Sequence, residues 1–121
     1  MKIYRLSEAG IRVVSNKMED RTQYILMDEA EAIGKLTIQS NLSPNYYIMT
    51  YFKIDDPKKR RKGLGSILMK YALNDLKYFD RPLILKPSPF EGEDSSALYE
   101  MYSGFGFVPL EGESGWMVYK R

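Results

Sequence analysis

Arg60-Arg61-Lys62-Gly63-Leu64-Gly65-Ser66 closes a basic run that begins at Lys58, and an amphipathic pattern of helical period follows it directly. Two glycines separated by one residue let the backbone curl closely around a ligand, because neither carries a Cβ. A helix beginning there presents unsatisfied N–H groups and the positive end of its dipole to an anion. Arg60, Arg61 and Lys62 add charge-assisted hydrogen bonds to phosphate. In outline this is a phosphate site. Two common nucleotide patterns fail on it, since Leu68 stands where a dinucleotide fingerprint needs its third glycine, and no Gly-Lys-Ser/Thr follows four residues after a glycine. Read alone, the run could equally be a solvated charge cluster or a nucleic-acid patch.

The surrounding chain supplies the context. Tyr46 to Ile54, before the basic run, is a long β-prone segment rich in aromatics and expected near the centre of a sheet. Upstream, Lys2–Leu6, Ile11–Val14, Thr22–Met27 and Ala32–Gln39 read as strands, with Asn16–Arg21 a polar loop between two of them. Downstream, Leu64, Ile67, Leu68, Tyr71, Ala72, Leu76 and Phe79 recur at helical spacing and predict about four turns. Leu83–Leu85 is a brief buried strand. A second helix opens at Asp94 or Ser95, with Leu98, Met101, Tyr102 and Phe105 on one face. Gly104 and Gly106 close it, and a hairpin ends the chain. The order implies an α/β architecture, a mostly antiparallel mixed sheet carrying helices, in a single domain spanning residues 1–121.

Composition removes several chemistries. The 121 residues contain no cysteine and no histidine, so thiolate nucleophiles, zinc-thiolate sites and histidine-based triads are excluded. No metal site is expected. No apolar run is long enough to span a bilayer, and the start lacks the apolar core of a signal peptide, so the expectation is a cytoplasmic protein. The 18 basic and 16 acidic residues leave a net charge of +2, which argues neither for nor against nucleic acid. Only the local cluster at Lys58–Lys62 bears on it, and the absence of a wider basic excess weakens that reading.

Arg60-x-x-Gly63-x-Gly65, after a long strand and before a helix, resembles the acyl-coenzyme A pyrophosphate signature of the GNAT superfamily of N-acetyltransferases. Tyr102 followed by Gly106-Phe107 is similar to the closing motif of the same superfamily. The resemblance covers roughly residues 45–121. It implies an enzyme that moves an acetyl group from acetyl-CoA to a primary amine through a tetrahedral intermediate. It implies cofactor contacts at Phe52, Ile54, Arg60, Arg61, Lys62, Gly63, Leu64, Gly65 and Ser66. The strand 46–54 would diverge from strand 83–85 to admit the pantetheine arm, and a strand amide would stabilise the oxyanion. Tyr102 would hydrogen-bond the departing thiolate. Full proton transfer from a phenol (pKa about 10) to a thiolate whose acid has pKa about 8.5 is mildly uphill.

Two departures from the family pattern stand out. No Asp or Glu lies on strand 46–54, so Thr50 and Tyr51, or the loop carboxylates Glu91, Glu93 and Asp94, are the candidates beside the acceptor amine. Residues 7–21 are too short for the two helices that relatives place after the first strand. The acceptor site is then open to a protein or peptide amine, or a homodimer completes it. Alternatives are a non-catalytic CoA-binding or regulatory module of this fold, and a small nucleic-acid-binding domain using Lys58–Lys62 with exposed tyrosines.

Overall fold

The computed structural model describes residues 2–5, 10–54, 63–87 and 95–120. The elements are β1 (Lys2–Arg5), β2 (Ile11–Lys17), β3 (Arg21–Asp28), β4 (Glu31–Gln39), β5 (Tyr47–Ile54), α1 (Leu64–Asn74), a 3₁₀ turn (Asp75–Tyr78), β6 (Leu83–Leu85), α2 (Ser95–Gly104), β7 (Phe107–Pro109) and β8 (Met117–Tyr119). Among the described residues the strands form one eight-stranded sheet in the order β1-β2-β3-β4-β5-β6-β8-β7. Every described pairing is antiparallel except β5 with β6, which are parallel and have α1 and the 3₁₀ turn between them in the chain. The mostly antiparallel mixed sheet is thus the one the sequence predicts.

β2 and β3 are longer than expected, and half of the polar segment Asn16–Arg21 is absorbed into them. Asn16 pairs with Gln23 and Lys17 with Thr22, leaving a tight turn at residues 18–20. These polar residues sit on strands because the backbone ladder, not side-chain burial, holds this end of the hairpin. β1 pairs antiparallel with β2, and residues 6–9 lie outside the described set.

The register puts Val13, Tyr24, Leu26, Leu36, Ile38 and Met49 on one face of the sheet, all buried. α1 covers that face with Leu64, Leu68, Met69 and Ala72. Met69 joins the core although the periodicity assigns it no place there. The helical pattern from Leu64 does not continue unbroken to Phe79. It tightens into the 3₁₀ turn at Asp75, where the buried carboxylate accepts a 2.9 Å hydrogen bond from Tyr24 Oη and ties the turn to β3. No helix of the described residues is long and apolar enough to cross a membrane.

Candidate functional site

Two irregularities in β5 create an opening in the sheet. The parallel ladder with β6 holds only at Tyr47–Leu83 and Ile48–Ile84, after which Met49 to Ile54 run on without a β6 partner. At that point the β4–β5 register slips: Thr37 faces Tyr51 but Ile38 faces Met49, so Thr50 is one extra residue on β5. A bulge of this kind bends the strand and increases its twist. Thr50 and Tyr51 are consecutively exposed as a result, breaking the alternation of the strand. The divergence of strands 46–54 and 83–85 expected from the resemblance is therefore present. The bulge that accompanies it has no signature in the sequence.

The start of α1 sits over the far half of β5. Gly63 is its N-cap, with φ 97°, a left-handed conformation that an L side chain adopts only with strain. Ile67 N–H donates to Gly63 O at 3.0 Å, closing the first helical turn. A glycine cap has no side-chain acceptor, so Gly63 itself does not compete with an anion for the first-turn N–H groups. One residue on, a Cβ at Gly65 would lie 3.5 Å from Phe52 Cζ and 3.9 Å from Ile54 Cγ1. Gly65 thus rests on both β5 side chains. A second close approach holds Ile54 from below: a Cβ at Gly34 on β4 would lie 2.6 Å from Ile54 Cδ1.

α2 completes the cluster. The ring of Tyr102 lies 6.4 Å from that of Phe52 and 5.9 Å from that of Phe107, and Phe105 meets Phe52 edge-on at 6.5 Å. The helix ends where Gly106 turns to φ 107°, beneath the Tyr119 ring, and Phe107 drops into the core. Leu98, Tyr102 and Phe105 face inward as expected, but Met101 points to solvent. A 100° advance per residue carries Met101 off the stripe that Leu98, Tyr102 and Phe105 define.

The structure accordingly brings Phe52, Ile54, Gly63, Leu64, Gly65, Ser66 and Tyr102 together from three elements. Leu64 is buried and serves the core, whereas Ser66 is exposed on the rim. Arg60, Arg61 and Lys62, and the carboxylates Glu91, Glu93 and Asp94, lie outside the described residues. A groove of about 950 Å³ runs from Ser66 along α1 past Lys70, Asn74 and Lys77, with Phe105 and Tyr119 as its opposite wall. Sequence reading missed Lys70 and Lys77, which the helical period places on the outer face as ordinary surface cations. Among the described residues no group of three or more His, Cys, Asp or Glu could hold a metal ion.

Comparison by structure identifies the architecture. A GNAT family acetyltransferase from Elizabethkingia anophelis with acetyl-CoA bound matches with a TM-score of 0.71 at 12% identity, over 94% of this chain and 100% of that one. The anti-CRISPR protein AcrVA5 matches at 0.60 and 13% identity, over 89% of this chain and 98% of that one. The PaiA N-acetyltransferase of Thermoplasma acidophilum, in complex with coenzyme A, matches at 0.59 and 15% identity, over 82% and 58%. By sequence, no family model matches the chain, and neither does any curated protein. The protein has the GNAT fold.

Proposed function

We propose that the protein is an acyltransferase that binds acetyl-CoA at the start of α1 and transfers its acetyl group to a primary amine. One observation carries this reading: β5 leaves β6 after Ile48, and the uncapped start of α1 stands on Phe52 and Ile54 at the mouth of the opening. The diphosphate takes the first-turn N–H groups from Gly63 onward, with Arg60, Arg61 and Lys62 as cationic partners. The nucleotide portion follows the groove toward Lys70 and Lys77, and the pantetheine arm enters between the strands. β5 backbone beyond Ile48, free of a β6 ladder, supplies an amide to the thioester carbonyl. The neutral amine attacks that carbon and forms the C–N bond, and its extra proton passes through water to solvent. The tetrahedral intermediate collapses by breaking the C–S bond, and the Tyr102 hydroxyl hydrogen-bonds the departing thiolate.

The test is release of free coenzyme A from acetyl-CoA across a panel of amines and peptides. The chain has no cysteine, so a thiol reagent sees no protein background. Amine-dependent thiol release is expected. Tight acetyl-CoA binding with no release on any amine would instead make the protein a CoA-binding module.

A further inference from the structure

α1, the 3₁₀ turn and α2 all pack on the same face of the sheet, the one that bears Tyr24, Leu36 and Phe52. Among the described residues no helix lies on the other face. The register gives that face Arg12 and Val14 from β2, Ile25 and Met27 from β3, Lys35 from β4, and Ile48, Tyr51 and Lys53 from β5. Lys35 lines up with Ile25 on one side and Lys53 on the other, and its ammonium stands 5.5 Å over the Tyr51 ring. Arg21 adds a further cation, already engaged by Asp20 at 2.8 Å. Not one described β2–β5 position on this face is Asp or Glu. The described carboxylates of this half of the chain sit in turns or at strand ends, at Glu19, Asp20, Asp28, Glu29 and Glu31.

From this surface we infer that the acceptor is an acidic polypeptide segment, which docks on the uncovered sheet face and delivers its amine to the opening beside Thr50 and Tyr51. The role of that segment as acceptor rests on the acetyl-transfer reading; the docking surface does not. Cations separated by half-buried aliphatic side chains match a segment that alternates carboxylates with apolar residues. Single-stranded nucleic acid fits less well, because it needs successive stacking rings and Tyr51 is the one aromatic residue at these described positions. A second copy fits less well too, since a two-fold contact would set this cationic face against itself.

The test reads binding and turnover separately. A short labelled peptide, one lysine amid glutamate and leucine, is compared by fluorescence anisotropy with its glutamine counterpart at low salt. The acidic peptide is expected to bind about tenfold more tightly, and the preference to fade as salt rises. The double variant Arg12→Glu/Lys35→Glu removes the preference, and Arg12→Gln/Lys35→Gln reduces it, both with acetyl-CoA affinity unchanged as evidence of an intact fold. Equal binding of the two peptides, a preference that survives charge reversal, tighter binding of a single-stranded oligonucleotide, or a dimer that hides the face would each overturn the inference. Peptide docking without thiol release would remove the acetyl-transfer reading and leave the surface standing. Thiol release with equal use of acidic and neutral amines would do the reverse.

Discussion

Phe52 and Tyr102 lie with ring centroids 6.4 Å apart, joining the strand that forms one wall of the opening to the helix that brings the only chain hydroxyl proposed for the leaving group. Tyr102 is 9% exposed, so its ring is fixed by packing. Tyr102→Phe keeps the ring contacts and removes the oxygen. Turnover, followed by thiol release, should fall by about a hundredfold, at the low end of what positioned acid groups contribute, with acetyl-CoA affinity nearly unchanged. Equal turnover in the variant would remove Tyr102 from the chemistry.

Gly34 and Ile54 face each other across β4 and β5 with no room for a methyl group between them. In Gly34→Ala the new Cβ would stand 2.6 Å from Ile54 Cδ1 and 3.3 Å from Lys53 O, so Ile54 must leave its rotamer. Overpacking of this kind costs about 1–3 kcal/mol. Because Ile54 also supports Gly65, the variant should lose acetyl-CoA affinity along with stability. Ile54→Val removes the clashing Cδ1. Urea denaturation of the double variant Gly34→Ala/Ile54→Val should therefore show less than the sum of the two single effects.

What the sequence discloses here follows from which interactions are local. Gly63 and Gly65 are legible because a turn into a helix needs their missing Cβ within the same few residues. Tyr102 with Gly106-Phe107 is legible because one helix end sets all three. The strands are legible as β-prone runs, and the neighbouring of β3 with β4 from their short connection, whereas the insertion of β8 between β6 and β7 is not. Thr50 and Gly34 are different. The bulge at Thr50 exists only in register with Thr37 and Ile38, and the need for glycine at 34 comes from a side chain twenty residues away on the next strand. Met69 and Met101 exchange roles for a similar reason: helical phase is set by what α1 and α2 pack against, and one methionine is buried where the other is exposed.

The Tyr24–Asp75 bond holds the 3₁₀ turn after α1 to the middle of the sheet, with both groups buried. Tyr24→Phe takes away a donor and leaves the Asp75 carboxylate short of one partner. The expected cost is about 1–3 kcal/mol in denaturant unfolding, the range for depriving a buried polar group of a hydrogen bond. Asp75→Asn, which retains an acceptor oxygen, should cost less than Tyr24→Phe.

At the closed end of the β5–β6 pair, Tyr47 Oη donates to Asp80 Oδ1 at 2.7 Å, and Arg81 stacks 4.0 Å over the Tyr47 ring. The Tyr47 hydroxyl is the chief reason that the Asp80 carboxyl is held below its ordinary value; a backbone hydrogen bond and Arg81 add to it. A depressed carboxylate favours the folded state above its unfolded pKa, and that contribution fades as pH falls through the lower folded value. Tyr47→Phe should raise the Asp80 pKa toward the usual carboxylate range, read by NMR titration of its side chain. The acid limb of the stability profile should flatten between the two values. Arg81 remains bound to the carbonyls of Ser40 and Ser43 in the variant, so the loop before β5 keeps its anchor.

Gly63 separates backbone strain from steric conflict at the proposed phosphate site. Among the described residues a Cβ there meets nothing within 4 Å, so the penalty expected in Gly63→Ala is that of its φ of 97°. That conformation costs an L residue roughly 1–2 kcal/mol, and asparagine tolerates it better than alanine. Stability should therefore fall in the order glycine, asparagine, alanine. Relieving the strain at Gly63 reorients the first-turn N–H groups on which the proposed diphosphate rests. Isothermal titration with coenzyme A should then show affinity falling in the same order, while dephosphorylated pantetheine, which lacks the diphosphate, should not follow it. If coenzyme A binds all three proteins equally, the diphosphate does not sit on this turn, and the assignment of the Arg60–Ser66 stretch fails with it.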